Sequence, residues 1–163
     1  MKLVQVAKTI VTTGDSTIAI NGIDSDDVYL LVGTDIISTQ SNCELHVRVN
    51  ASSSAQTTSN YDYGSRTPSS TNMNTRNAQN QDKGYIVSNV HTYGMNFSAF
   101  LYNFNNASEY SYIEHESVAD VSNQKLGEFG GTVFTVAAAH NGVTLHGHAG
   151  TFNSGNLYLY KVI

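Results

Sequence analysis

Tryptophan is absent, proline and cysteine each occur once, and Asp, Glu, Lys and Arg together make up only 13% of the 163 residues. The single cysteine, Cys43, rules out an internal disulfide. Its neighbours have strand character, where a buried thiol behaves as a small apolar side chain. No apolar run approaches the roughly 20 residues that a membrane-spanning helix needs, and no basic start with an apolar core and cleavage site is present. The expectation is a protein made in the cytoplasm, with no membrane partner. Charge is about half its usual share, so Ser, Thr, Asn, Gln and Tyr must cover the surface. The net charge of −5, with eight scattered Lys and Arg, argues against a nucleic-acid partner, because phosphate binding needs clustered cations.

What the chain does have is alternation with period two. Glu44 to Val49 puts Leu45, Val47 and Val49 on one face and Glu44, His46 and Arg48 on the other, the pattern of a half-buried strand. Ser16 to Asn21 alternates with Ile18 and Ile20 inward. Val28 to Gly33 is a continuous apolar run of strand length. Met95 to Phe104 alternates again, as do Tyr110 to Val118 and Leu157 to Val162. Leu3 to Val11 reads as one or two more strands, and Val143 to His146 as another. Thr132 to Ala139 reads as strand too, since Thr-Val-Phe-Thr-Val precedes its alanines. The final run, entered from Gly150 to Asn156, needs a partner strand already in place to satisfy its backbone. Asn21-Gly22 and Asn141-Gly142 are strong turn signals. The expected fold is all-β, an antiparallel two-sheet sandwich of jelly-roll type, spanning residues 1–163 as a single domain.

Ala51 to Lys83 breaks the pattern. It is a long run of Ser, Thr, Asn and Gln and is read as one long polar loop or arm inserted between strands. Tyr61, Tyr63, Arg66 and Arg76 are its candidate contacts with a neighbouring molecule.

Few constellations suggest chemistry. His146 and His148 alternate on a strand and are weak candidates for a metal, although no carboxylate follows them. Glu114 and Glu116 share a strand face but have no sugar cleft implied around them. Asp24 to Asp27 lacks the glycine and distal glutamate of a calcium loop. No catalytic residue, cofactor or metal is assigned. More informative is a second aromatic set. Phe100, Tyr102 and Phe104 oppose Phe97 and Leu101, while Tyr158 and Tyr160 oppose Leu157 and Leu159. A sheet that is apolar on both faces has its outer side covered, and these five residues are candidates for an interface in a homo-oligomer.

The order of several short pieces resembles a diverse family of phage virion β-sandwich modules, found in capsid decoration or cement proteins and in tail-fibre tips. The pieces are Thr17-Ile-Ala-Ile-Asn-Gly-Ile23, Asp26-Asp-Val-Tyr-Leu-Leu-Val32, Glu44-Leu-His-Val-Arg-Val49, the tyrosines Tyr61 and Tyr63, Phe100-Leu-Tyr-Asn103 and Ser154-Gly-Asn-Leu-Tyr-Leu-Tyr160. The family commonly has glycine where Lys161 stands. The resemblance implies a virion structural protein without enzymatic activity. Its partners would be the major capsid shell or other virion proteins, and its state a homotrimer. Because the sandwich pattern begins by Leu3, with no shaft ahead of it, a cement role on the shell is expected. The alternative is a receptor-binding tail tip that recognises host-surface carbohydrate.

Overall fold

In the computed structural model, residues 2–68, 73–90, 93–121 and 124–163 are described, with the side chains of 88–90, 120, 121, 124 and 125 left aside. The strands are β1 (Leu3–Val11), β2 (Thr17–Asn21), β3 (Tyr29–Ser38), β4 (Cys43–Ala51), β5 (Ser54–Ala55), β6 (Tyr61–Pro68) and β7 (Met73–Gln81). They are followed by β8 (Gly84–Val90), β9 (Met95–Tyr102), β10 (Ser111–Val121), β11 (Gln124–Phe134), β12 (Gly142–Gly147) and β13 (Phe152–Val162). An eight-stranded sheet runs in the order β1-β13-β3-β9-β10-β11-β6-β7. A five-stranded sheet runs β2-β12-β4-β5, with β8 also paired to β4. All pairings are antiparallel. From β2 onward the chain crosses between the sheets again and again: β3 large, β4 small, β6 and β7 large, β8 small, β9 to β11 large, β12 small, β13 large. The two sheets form an antiparallel β-sandwich, with β9 to β11 a consecutive meander in the larger one.

Period-two burial builds the core. Leu45, Val47 and Val49 of β4, Ile18 and Ile20 of β2, and Val143 and Leu145 of β12 face Leu31, Met95, Phe97, Leu101, Leu157 and Leu159 of the larger sheet. Cys43 is buried at the start of β4. The tail strand β13 lies between β1 and β3, so its backbone is paired on both edges. Lys2 N–H donates to the Ile163 carbonyl at 2.6 Å and Ile163 N–H returns a bond to the Lys2 carbonyl at 2.9 Å, placing residues 2 and 163 side by side. Lys161 Nζ lies 2.6 Å from Asp27 and 2.7 Å from the Ser25 hydroxyl, while the Tyr29 hydroxyl donates to Asp24 at 2.8 Å. The Asp24–Asp27 segment is thus tied by its own neighbours to β3 and β13.

Three expectations are corrected. Residues 51–83 are not one loop: apart from 69–72, which lie outside the described residues, they hold β5, β6 and β7. The β6–β7 hairpin extends the large sheet through a six-residue pairing of β6 with β11, from Tyr61 opposite Phe134 to Arg66 opposite Phe129. Its inner side is held by hydrogen bonds instead of aliphatic packing. The Ser65 hydroxyl donates to buried Glu128 at 2.7 Å. Second, β11 ends at Phe134, and residues 135–141 form an irregular connection in place of the expected strand. Thr135 N–H bonds the Asn60 carbonyl and His140 N–H bonds that of Phe104, hydrogen bonds that lie outside any strand ladder. Third, Phe104 does not continue the face of Phe100 and Tyr102. The strand stops at Tyr102, Asn103 takes φ +59°, and Phe104 turns into the core beside His140.

Candidate binding face and a buried histidine cluster

The outer side of the eight-stranded sheet is built by cross-strand register. One row runs Tyr160, Leu30, Phe100, Glu114, Gly131, Gly64, Asn77 across seven strands. The next runs Lys8, Tyr158, Val32, Ser98, Glu116, Phe129, Arg66. A third places Tyr102 opposite Tyr112, Val133 and Asp62. On β9 and β13 these positions alternate with buried core residues, which fixes their direction. Tyr158 and Tyr160 stack with centroids 6.3 Å apart, and the Lys8 ammonium lies 5.1 Å from the Tyr158 ring centre. Phe100 and Tyr102 are adjacent at 6.2 Å. All four rings are half-buried, while Tyr112 and Phe129 are 41% and 47% exposed. Apolar side chains on both faces of one sheet are unusual for a solvated antiparallel sandwich.

Phe100, Tyr102, Tyr158 and Tyr160 therefore share one surface, as the alternation implies. Phe104 does not belong to it. Leu30, Val32, Tyr112 and Phe129 do belong, and sequence reasoning missed them. The first two sit in a continuous apolar run that gives no hint of facing direction, and Phe129 sits among glycines.

The expected loop contacts divide. Tyr61 is fully buried in the core against Phe134, and is withdrawn as a surface contact. Its strand continues the larger sheet, so its ring points into the sandwich. Tyr63 stacks on buried Tyr85 at 5.4 Å, and the Arg76 guanidinium covers the same ring at 4.8 Å while pairing with Glu44. Arg66 is exposed on the outer face.

The expected pairing of His146 with His148 does not form. The strand ends at Gly147, and exposed His148 turns back so that its Nδ1 accepts the Glu44 N–H at 3.0 Å. His146 instead faces His46 across β12 and β4, with ring centres 5.2 Å apart. His46 Nε2 lies 3.1 Å from Glu44 Oε2. Burial, then the nearby His146 and Lys83, push His46 down to about 4, against the pull of Glu44. Burial and Arg48 lower His146 as well. Burial opposes ionisation of Glu44, but Arg76 and then His46 hold it below the usual carboxylate range. Arg48 reaches Asp82 at 2.8 Å and Lys83 reaches it at 3.1 Å, closing the cluster where the hairpin meets the smaller sheet. Its charges are arranged to hold β4, β7 and β8 together. Among the described residues no group of three or more His, Cys, Asp or Glu side chains is placed to hold a metal ion. Glu114 and Glu116 are both exposed on the outer face of β10.

The fold and this face define an all-β sandwich with an uncovered apolar sheet surface. No model of a known protein family matches the chain, and no curated protein matches it.

Proposed function

We propose that this chain is a non-enzymatic virion structural protein that decorates and stabilises an assembled bacteriophage capsid, acting as a homotrimer. The observation that carries the reading is the half-exposed aromatic surface on β13, β3 and β9, formed by Tyr158, Tyr160, Leu30, Val32, Phe100 and Tyr102. Contiguous apolar area of this kind marks a docking surface, and Tyr and Phe bury much area there at little rotamer cost. The ordered pieces from Thr17 to Tyr160 that resemble phage virion modules supply the virion context. The mechanism is linkage: a protein that binds the assembled shell and not its loose subunits stabilises the shell by mass action. A trimer suits a local symmetry axis of such a shell.

The test is gold-labelled antibody imaging of purified virions from the source, together with binding to assembled shells and to free shell subunits. Label spread over the head, with binding to shells alone, is the expected result. Label confined to the tail overturns the cement role and moves the protein to the adhesion apparatus. No virion label overturns the viral reading altogether.

A further inference from the structure

Next to the aromatic rings of β13, β3 and β9, the outer face over β10, β11, β6 and β7 forms a trough. Gly131 of β11 and Gly64 of β6 are cross-strand partners, and they stand between Glu114 of β10 and Asn77 of β7 in the same row. Two neighbouring positions thus carry no side chain, while the backbones of β10 and β7 lie three strand spacings apart, roughly 14 Å. The hollow on the β10 side, about 560 Å3, is walled by Tyr102, Tyr112 and Glu114. It adjoins a second of about 470 Å3 lined by Asp62, Asn77 and Gln79, and a third of about 290 Å3 reaching Phe129 and Arg66. Gly64 lines all three.

Glycine inside a strand weakens it, and packing does not require one at position 64. A Cβ there would meet only the Arg76 carbonyl, at 4.0 Å, and the residue does not lie in the left-handed region. Its effect is to keep the trough open.

We propose that this trough binds a neutral polysaccharide chain. Tyr112 is 41% exposed at its wall, and a tyrosine ring offers a flat apolar face with a polar tip. Such a face suits the C–H side of a pyranose. Asn77 and Gln79 each offer donors and acceptors, and Glu114 offers acceptors, which matches the paired donor and acceptor character of sugar hydroxyls. A concave site with aromatic walls and a few converging polar groups has the composition of a ligand site. The charge of the lining selects the ligand. Glu114 and Asp62 flank the trough, Glu116 lies one row away, and the two cations that line it, Arg66 and the Glu44-paired Arg76, stand at the far end. An anionic sugar or phosphate is repelled, and a neutral chain is admitted. The trough lies on β10, β11, β6 and β7 and shares Tyr102, Tyr112 and Phe129 with the aromatic surface at its rim, and the argument for it does not need that surface to meet a capsid.

The experiment is a titration of the 15N-labelled protein with neutral hexasaccharides (cellohexaose, maltohexaose, mannohexaose and chitohexaose), with hexagalacturonate as the anionic control. At least one neutral hexamer is expected to shift the backbone amides of 62–66, 77–79, 112–114 and 129–133, and the anionic hexamer is expected to leave them unmoved. Gly64→Val, whose Cβ meets nothing nearer than the Arg76 carbonyl, is expected to keep the melting temperature and weaken binding about tenfold or more. Tyr112→Ala is expected to weaken it as well. No shift at these amides with any neutral hexamer overturns the proposal. So does undiminished binding by Gly64→Val. A change in sedimentation of Gly64→Val without saccharide would reassign the trough to a contact between copies, and would overturn it too.

Discussion

The Tyr61 hydroxyl accepts the Val49 N–H at 3.0 Å and donates to the Gln56 carbonyl at 2.8 Å. Tyr61 belongs to the larger sheet and Val49 to the smaller one, so one phenol spans the sandwich and satisfies a backbone donor of β4. Burial raises the phenol's pKa beyond the usual tyrosine range, and it stays a neutral donor and acceptor. Tyr61→Phe should preserve the shape of the core while leaving Val49 N–H unsatisfied. The expected cost is about 1–3 kcal/mol, read as a lower denaturant midpoint with an unchanged slope.

Gly33 and Phe97 set a second constraint. They are register partners on β3 and β9, and a Cβ on Gly33 would lie 2.0 Å from the Phe97 ring. The ring occupies the space that a side chain would take. Gly33→Ala should cost about 1–3 kcal/mol through overpacking, and Gly33→Ala with Phe97→Leu should recover part of it. Equal stability of Gly33→Ala and the unmodified protein would refute the assigned packing.

Acid should destabilise the fold through its histidines. His115 is 2% exposed in β10, neither ring nitrogen has a hydrogen-bond partner among the described residues, and burial pushes it down to about 4. The unfolded chain takes up that proton near pH 6.5. Between about 6.5 and 4 the unfolded state therefore binds more protons, and stability must fall as pH falls. The share from His115 reaches about 3 kcal/mol, is fully present above pH 6.5, and is lost by pH 4. His46 adds to the same window. Urea melts from pH 4 to 7.5 should show His115→Gln with a flatter profile. A slope identical to that of the unmodified protein would exclude His115 as a source.

Charge placed on the outer aromatic surface should separate stability from association. Tyr158→Lys with Tyr160→Lys adds cations beside Lys8 on positions that are only half-buried. Thermal stability should change by less than about 1 kcal/mol, while self-association and shell binding, followed by sedimentation velocity, should be lost. Retained assembly would place the contact elsewhere.

The strands with one apolar face were legible because alternation forces direction: Ile18, Ile20, Leu45, Val47 and Val49 are all buried as their spacing requires. The tail strand was legible for the same reason. The β6–β7 hairpin was not. Its inner residues Ser65 and Thr67 are buried among polar neighbours, and its outer ones include Gly64 and Asn77, so hydropathy shows no period. A strand held by hydrogen bonds to Glu128 looks like a loop to any reading based on apolar spacing. Phe104 failed differently, since one left-handed asparagine reverses a face without changing the pattern. The candidate surface was half visible. Its rings on β9 and β13 follow from alternation, but their neighbours depend on register between strands far apart in sequence.

The bonds that join Lys2 to Ile163 have a practical reach. Because residues 2 and 163 lie at one corner of one sheet edge, a chain that runs from one to the other tolerates being joined there by a short linker and reopened elsewhere. The turn at 105–109, between β9 and β10, is a suitable opening. Such a circularly permuted chain would carry a fused peptide between the two central strands β9 and β10 instead of at the sheet's edge. The molecule thereby becomes a display scaffold with a choice of two exits.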